Sequence, residues 1–238
     1  NFPEVLRREL DKPTWTRELV ALGTATDPYQ PIEGHYKLTR RTIEALIAAR
    51  TPVGIVTKGP MIVRDADLLA ELSRVAKCTV CLSVPTVDED AWRALEPGTA
   101  HPLQRLRAVR KLREAGINAG VLMAPVVPGF TTRSDKLAAT IKACADHDAA
   151  FVGANVLYLK GGTKDHFMGF LRHSFPDMVH RYEKLYSGAY ASPEYAGTVR
   201  ALIEMFQEKY DVNRRTRRAR TEDLPAPPPA ARQAGLDF

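Results

Sequence analysis

The 238-residue sequence is poor in cysteine and has no long hydrophobic run. Its three cysteines, Cys78, Cys81 and Cys144, are too few for a disulfide framework, which predicts a protein of the reducing cytoplasm. No apolar stretch is long enough to cross a bilayer, so a membrane is not an expected partner. Hydrophobic residues make up 45% of the sequence, which is enough to form the core of one large domain.

Positive charge is concentrated in one short segment. Seven residues near the C-terminus contain five arginines: Arg214, Arg215, Arg217, Arg218 and Arg220. Without these five, the net charge of +6 falls to +1, so the rest of the chain does not provide a basic face for a phosphate backbone. The run itself is either a solvated charge run or a contact for nucleic acid. Residues 224–233 are rich in Pro and Ala and cannot build a core, so residues 211–238 are predicted to be a disordered tail.

Hydrophobic periodicity divides the rest of the chain into alternating strands and helices. Five short segments are predicted to be strands: residues 17–23, 53–57, 78–84, 117–123 and 151–157. Helices are predicted between and after them, at residues 3–10, 38–50, 65–75, 88–95, 103–115, 133–147, 167–173, 178–186 and 194–210. Short strands that alternate with helices predict an α/β fold with a parallel sheet and right-handed crossovers.

Polar residues follow the first predicted strand directly. Residues 23–33 read Gly-Thr-Ala-Thr-Asp-Pro-Tyr-Gln-Pro-Ile-Glu and bring hydroxyl, carboxylate and amide groups to the strand's carboxyl end. In a parallel α/β fold that edge is where ligands bind, so Thr26 and Asp27 are candidates for ligand contacts. An Asx-type turn leading into the next helix explains the same residues, and both interpretations stay open.

Lys58 is the clearest single candidate among the other strand ends. It follows Val-Gly-Ile-Val-Thr, at the point where the second predicted strand leaves the core. A lysine there can hold an anionic ligand group, or form a Schiff base if it is desolvated. The alternative is an exposed loop lysine. In a barrel, the strand ends at Ser83 and at residues 124–129 and 158–162 would converge on the same rim.

Four motifs in order support a family resemblance: residues 23–33, Val-Thr-Lys-Gly at 56–59, Glu-Pro-Gly-Thr at 96–99 and Ala-Pro-Val-Val-Pro-Gly at 124–129. Together they resemble the radical S-adenosylmethionine (SAM) proteins of the spore photoproduct lyase-like branch, and within it the actinobacterial group often labelled DNA-repair-photolyase-like. The resemblance covers residues 1–210. It implies a partial (β/α)6 TIM-like barrel over residues 1–162, followed by a helical extension, residues 163–210, packed on the barrel.

The resemblance also implies an activity. Members of that family bind a [4Fe–4S] cluster through a Cys-x3-Cys-x2-Cys loop, and the cluster chelates the methionine end of SAM. Reductive cleavage then gives a 5′-deoxyadenosyl radical, which abstracts a hydrogen atom from the substrate. The implied function is therefore a radical SAM enzyme with SAM and [4Fe–4S] as cofactors and an electron donor as partner, acting on a substrate that the sequence does not identify.

The sequence departs from the family at the cluster loop, because it contains no Cys-x3-Cys-x2-Cys. Cys78 and Cys81 lie three apart in a predicted strand, so they point to opposite faces, and no third thiolate is near. No metal ligand is therefore predicted in this chain. Either the loop lies upstream of Asn1 or the protein has lost the cluster. A start at Asn rather than Met, and five strands where the family has six, favour a first strand and cluster loop upstream.

The resemblance implies SAM contacts for six residues: Thr26, Asp27, Lys58, Ser83, Ala124 and Pro125. Thr26 and Asp27 match the strand end at the cofactor's amino group, and Lys58 matches a lysine that pairs with its carboxylate through a charge-assisted hydrogen bond. Ser83 matches a serine near the ribose or carboxylate, although it can also simply bond to backbone. Ala124 and Pro125 match the segment that packs on the adenine, although Pro125 can also be a loop stiffener.

Thr24 stands where photoproduct lyase has the cysteine that returns a hydrogen atom to its product. A hydroxyl hydrogen is too strongly bound for that step, so photoproduct lyase activity itself is not predicted. Tyr29, Tyr158 and Lys160 are candidates for the substrate side, although Tyr29 can also cover the barrel mouth and Lys160 can be solvent-exposed. Two other functions stay open: a cluster-free barrel aldolase or isomerase that uses Lys58, and a nucleic-acid-binding protein that uses residues 214–220.

Overall fold

An open, five-stranded parallel sheet forms the framework of the computed structural model, which describes residues 1–212. The strands are β1 (Val20–Leu22), β2 (Val53–Thr57), β3 (Cys78–Ser83), β4 (Asn118–Val126) and β5 (Val152–Val156). They pair in chain order, and each neighbouring pair is parallel. The predicted α/β fold with a parallel sheet is confirmed. Because the five described strands do not close on themselves, the barrel is partial.

The helices flank this sheet and continue after it. They are α1 (Phe2–Leu10), α2 (Glu33–Tyr36), α3 (Leu38–Ala48), α4 (Ala66–Val75), α5 (Glu89–Leu95), α6 (Pro102–Glu114), α7 (Ser134–Asp146), α8 (Gly162–Ser174), α9 (Pro176–Leu185) and α10 (Pro193–Lys209). A 3₁₀ helix, Pro60–Asp65, leads into α4. The helices predicted from periodicity are all present, and α8 begins five residues earlier than its predicted start at residue 167.

Local signals explain where several helices begin and end. The Asp88 carboxylate accepts a hydrogen bond from Ala91 N at 2.9 Å and caps α5. Gly116 has φ +81° just after α6, a conformation that ends helices and that glycine adopts without strain. Asp65 precedes α4 but makes no capping bond, because other groups use its carboxylate.

The first strand is shorter than predicted. The sequence predicted residues 17–23, whereas β1 contains only Val20–Leu22. Arg17 has φ +58° and Gly23 has φ +93°, so the backbone leaves extended geometry on both sides of β1. Pairing begins where Val20 N donates to Pro52 O at 2.9 Å. β1 is thus a short edge strand, and its polar loop begins directly after it.

Two hydrophobic clusters hold the fold together. The main core lies between the sheet and its helices and includes the fully buried Ile43, Ile55, Leu82 and Val121. A second, smaller cluster joins α8 and α9 to the segments after β4 and β5. Its members are Val127, Phe130, Leu157, Leu159, Met168, Leu171, Tyr182, Tyr186 and Ala191.

β5 forms the outer edge of the sheet opposite β1, with no further strand beside it among residues 1–212. Its sequence, Val-Gly-Ala-Asn-Val, has no charged residue, and Asn155 is exposed. The Gln207 side chain of α10 donates to Val152 O at 2.8 Å, at the start of β5.

No helix within the described part of the chain is long and apolar enough to cross a membrane. The arginine run at residues 214–220 and the Pro- and Ala-rich segment lie outside the described residues.

Candidate functional site

Two neighbouring cavities open at the carboxyl edge of the sheet. The first, of about 290 Å³, lies between the loop after β1 and the ends of β2, β3 and β4. The second, of about 250 Å³, has mainly apolar walls that include Trp92, Leu95, Val127 and Phe167. Lys58 lines both cavities. The parallel sheet explains this geometry, because it brings all strand ends to one edge.

The structure brings the six predicted SAM contacts together at this edge. Five of them line the first cavity: Thr26, Asp27, Lys58, Ser83 and Ala124. Pro125 lines the second. Thr24, which the resemblance aligns with the hydrogen-returning cysteine of photoproduct lyase, also lines the first cavity. The strand ends therefore gather around one region of the molecule.

Gly23 allows the loop after β1 to reach the end of β2. A Cβ at this position would lie 1.9 Å from Val56 O, well inside contact distance. Its φ of +93° is also one that other L-residues rarely adopt. The first cavity therefore depends on a glycine at this turn.

The Asp27 carboxylate joins that loop to β2. Oδ1 accepts hydrogen bonds from Tyr29 N at 2.8 Å and from the Thr57 hydroxyl at 2.5 Å. Oδ2 accepts from Lys58 N at 2.7 Å. The bond to Tyr29 N is the Asx-type turn that the sequence left open, and the other two bonds go beyond such a turn. Asp27 thus shapes the cavity wall and fixes the backbone at Lys58.

The Lys58 side chain forms an ion pair that the sequence did not predict. Nζ lies 2.8 Å from Glu96 Oε1, and the side chains of Lys58 and Glu96 are 42% and 9% exposed. Glu96 Oε2 in turn accepts a hydrogen bond from Arg105 at 2.8 Å. A nearly buried carboxylate therefore connects the half-exposed lysine to the interior.

Arg105 is fully buried and holds several backbone segments in place. Besides Glu96, its guanidinium donates to Ser83 O at 2.8 Å, to Ala100 O at 2.8 Å and to the Thr99 hydroxyl at 2.6 Å. Its position in the sequence, on an amphipathic helix, gave no signal of this role. Glu96 lies in the Glu-Pro-Gly-Thr motif at residues 96–99. This motif supported the resemblance, but the resemblance implied no SAM contact for Glu96.

Ser83 and Ala124 meet across the sheet. The Ser83 hydroxyl donates to Ala124 O at 3.3 Å, and Ser83 is 5% exposed. The Ala124–Pro125 peptide bond is cis, and the β4–β5 pairing shifts register between Met123 and Val126. β4 thus leaves regular pairing where it passes the two cavities.

The structure places the three substrate-side candidates apart. Tyr29 is 3% exposed, lies against Gly59, and its hydroxyl donates to Asp65 at 3.2 Å, so it packs beneath the loop instead of lining either cavity. Tyr158 lines a separate groove between β5 and α10, with its ring 4.8 Å from that of Tyr190. Lys160 is exposed. Tyr29 is buried because its ring fills core space and its hydroxyl finds a buried acceptor.

Ion pairs around two buried carboxylates, Asp65 and Glu33, hold the loop after β1 in place. The fully buried Asp65 accepts from Tyr29, from Arg40 at 3.0 Å and from Arg64 at 2.8 Å and 2.9 Å. Arg64 also pairs with the buried Glu33 at 3.0 Å. Burial, with the nearby Asp65 charge, raises the pKa of Tyr29 well above its usual value, so the phenol stays a donor.

The three cysteines do not form a cluster site. Cys78 and Cys144 are buried, and Cys81, on the same strand as Cys78, is partly buried. Burial raises the pKa of Cys78 to about 11 and that of Cys144 to about 12. Within residues 1–212, no group of three or more His, Cys, Asp or Glu side chains is placed to hold a metal ion. The described residues therefore do not fit a [4Fe–4S] cluster, which needs several thiolates together.

Solved structures of similar fold include those of spore photoproduct lyase. A mutant of that enzyme with bound AdoMet and dinucleoside spore photoproduct superimposes with a TM-score of 0.66 over 89% of this chain and 64% of that chain, at 16% identity. At this identity the likeness shows the fold alone, a partial barrel built on an open parallel sheet.

Sequence relatives are more similar. Uncharacterised proteins of Mycobacterium tuberculosis and Mycobacterium bovis are 38% identical over 229 residues, which is 96% of this chain and 65% of each relative. The chain thus spans just under two thirds of the length of these relatives. A radical SAM Nα-GlyT isomerase of Pseudomonas phage M6 is 28% identical over 135 residues, covering 57% of this chain and 27% of that protein.

The model of the Radical SAM superfamily matches residues 3–144, which include β1 to β4 and every strand end that lines the first cavity. The match covers more than half of the sequence, and the chain belongs to the Radical SAM superfamily.

Proposed function

We propose that this protein is a cytoplasmic radical SAM enzyme whose SAM site is the pair of cavities that meet at Lys58. The observation that carries the proposal is the position of that one lysine in the walls of two cavities, one of which contains hydroxyl and carboxylate side chains while the other is mainly apolar. SAM likewise consists of two different parts, a charged amino acid end and an adenosine end. Membership of the superfamily implies SAM and a [4Fe–4S] cluster as cofactors.

Lys58 is the partner proposed for the carboxylate of SAM. Its side chain is 42% exposed and reaches both cavities, so the ammonium is accessible to a ligand. An ammonium that faces a carboxylate forms a charge-assisted hydrogen bond, roughly twice as strong as a neutral one. Thr26 and Ser83 add hydroxyl groups to the wall of the same cavity.

Asp27 is proposed to face the amino group of SAM. A carboxylate has about four acceptor positions, and protein donors use three of those on Asp27. The remaining position, on Oδ2, can accept one N–H from an ammonium. Asp27 would then both shape the cavity and bind the ligand.

The apolar cavity is proposed to hold the adenosine. Pro125, Val127, Leu157 and Trp92 form its walls, and such a surface favours a planar base. Ala124 lines the first cavity and Pro125 lines the second, so the chain passes from one cavity to the other at this peptide. This arrangement agrees with the adenine contact that the resemblance implied for Ala124 and Pro125.

Superfamily members cleave SAM reductively with electrons from their cluster, which requires an electron donor as partner. The described residues bind and orient SAM in this proposal, and no step is assigned to the cysteines, because the three do not come together. Thr24 supplies no thiol beside the site, so we infer a reaction other than photoproduct repair. Tyr158 and Lys160 stay candidates for substrate contacts outside the two cavities.

A ligand pair tests the role of Lys58. S-adenosylhomocysteine and methylthioadenosine share the adenosine but only the first has a carboxylate. We expect the protein to bind S-adenosylhomocysteine about tenfold more tightly in isothermal titration calorimetry, a gain of the size expected for one accessible charged hydrogen bond. Lys58→Met should reduce that preference to the part that the proposed Asp27 contact with the ammonium supplies, and leave methylthioadenosine affinity unchanged.

Lys142→Met is the matched control, because Lys142 is an exposed lysine on α7 that pairs with Asp146 at 2.6 Å. It should behave like the parent. Equal affinity of the parent for the two nucleosides, or an unchanged preference in Lys58→Met, would contradict the proposal.

The two alternative functions find less support. A Schiff-base lysine needs a desolvated amine, whereas Lys58 is 42% exposed and ion-paired with Glu96. The family match also favours SAM chemistry over a cluster-free aldolase. A nucleic-acid contact through residues 214–220 stays a prediction from sequence, since those residues lie outside the described part. Deleting residues 211–238 and measuring oligonucleotide binding would test it.

A further inference from the structure

Three charged side chains are in contact at Lys58. Lys58 and Arg105 are cationic, Glu96 is anionic, and the three are joined by contacts of 2.8 Å. We call these three residues the Lys58 cluster. Its formal charge is one positive unit, where a lysine and an arginine alone would give two. Asp27, in the wall of the first cavity, adds a second negative charge nearby, and Glu96 lowers by one further unit the positive charge that a ligand meets at the junction of the two cavities.

Glu96 is held rigidly in that position. Arg105, itself fully buried, donates to Glu96 Oε2 and to three further acceptors, so neither residue can turn away without breaking bonds inside the protein. Glu96 Oε1 is a buried atom in ion-pair distance of Lys58 Nζ, yet no donor within the described residues makes an aligned hydrogen bond to it. A fixed negative charge thus stands beside the lysine.

A ligand group on Lys58 must tolerate this negative charge. A phosphate monoester has up to two negative charges and is repelled on both. An amino acid end has a carboxylate that is repelled and an ammonium that is attracted, so the two effects largely offset each other. Because the Glu96 side chain is only 9% exposed, solvent screens these effects weakly.

We propose that Glu96 makes the Lys58 site selective for a zwitterionic amino acid group over a nucleotide phosphate. The proposal rests on the proposed function, because it takes the ligand to be an adenosine derivative whose charged end lies on Lys58. AMP and ATP share the adenosine of SAM, and a bare lysine would attract their phosphates at least as well as a carboxylate. The buried glutamate penalises those competitors without an added steric barrier.

Three adenosine ligands and one substitution test the proposal: S-adenosylhomocysteine as the zwitterion, AMP as the phosphate and methylthioadenosine as the uncharged reference. The parent is expected to bind S-adenosylhomocysteine more tightly than AMP. Glu96→Gln keeps an acceptor for Arg105 and removes the charge. It should raise the affinity for AMP about tenfold and change that for S-adenosylhomocysteine by less than about threefold, as expected for one charge at short range with partial screening.

Glu89→Gln is the matched control, because it removes the same charge from the exposed face of α5, where Glu89 pairs with Arg93. Its ratio of AMP to S-adenosylhomocysteine affinity should equal that of the parent. Glu96→Asp, which keeps the charge, should retain the preference against AMP.

An unchanged ratio in Glu96→Gln would overturn the selectivity proposal, provided that Lys58→Met still reduces the preference for S-adenosylhomocysteine over methylthioadenosine. If Lys58→Met leaves the preference for S-adenosylhomocysteine over methylthioadenosine unchanged, the proposed function is overturned, and the selectivity proposal with it. If Glu96→Gln fails to fold, AMP binding by the parent as tight as that of S-adenosylhomocysteine would still overturn the proposal.

Discussion

Single polar side chains at the carboxyl edge join segments that lie far apart in the sequence. Asp27 joins the loop after β1 to the end of β2 through two bonds, 30 and 31 residues away. Arg105 joins α6 to the end of β3 and to the segment after α5. Protein partners fill most of the hydrogen-bonding positions of the Asp27 carboxylate and of the Arg105 guanidinium. Such pairing offsets the cost of removing a charge from water.

The Arg40–Asp67 pair gives a prediction at this scale about acid stability. Hydrogen bonds from Arg40, at 2.8 Å and 3.1 Å, hold the pKa of Asp67 at about 2, below the unfolded value of about 3.9. A depressed folded pKa stabilises the protein above the unfolded pKa, and the contribution is lost as pH falls from about 4 to about 2. Asp67 is 61% exposed, so solvent limits the effect to less than about 1 kcal/mol.

We therefore expect Asp67→Asn to be less stable than the parent at pH 6 and equally stable at pH 2. Urea unfolding followed by circular dichroism at several pH values measures the difference. A gap between the two proteins that stays constant from pH 6 to pH 2 would show that the ion pair does not cause it.

Among the elements, helices with caps and clear periodicity were predicted well, and the first strand was not. α5 and α6 were located by Asp88 and Gly116, whose signals are local. The limits of β1 depend on which residues pair with β2, and no local signal contains that information. The same distinction applies to the site. Lys58 follows a strand and could be found from sequence, whereas Arg105 acquires its role only through partners on other elements.

The loop after β1 carries a prediction at the scale of elements. Gly23→Ala should lower the free energy of unfolding by more than about 2 kcal/mol, because the new Cβ meets Val56 O at 1.9 Å and the φ of +93° adds strain. Chemical denaturation measures the loss. S-adenosylhomocysteine binding should weaken as well, since the same turn places Asp27.

Gly197→Ala provides the contrast. Gly197 lies within α10 with no atom near a would-be Cβ, so alanine there should stabilise the protein by roughly 0.5–1 kcal/mol. Similar losses in the two variants would mean that the Gly23 turn is not specially constrained.

At the scale of the whole molecule, the two hydrophobic clusters predict that local unfolding costs more free energy in one part of the protein than in another. β2, β3 and β4 lie inside the sheet and contribute to the main core, whereas α8 and α9 depend on the smaller cluster. Amides of α8 and α9 should exchange with deuterium faster than those of the three inner strands, as measured by mass spectrometry. Equal protection of both regions would indicate a single cooperative unit.

The uncharged outer edge of β5 affects how copies of the protein behave toward each other. Proteins commonly guard such an edge with a lysine, a proline or a bulge. Val-Gly-Ala-Asn-Val contains neither a lysine nor a proline, and the irregular pairing of β5 with β4 is confined to the end of the strand. Where α10 does not cover it, we expect this edge to be the place at which two molecules pair strand to strand at high concentration. Asn155 is exposed on this strand, and a single lysine there would be the smallest change that blocks such pairing.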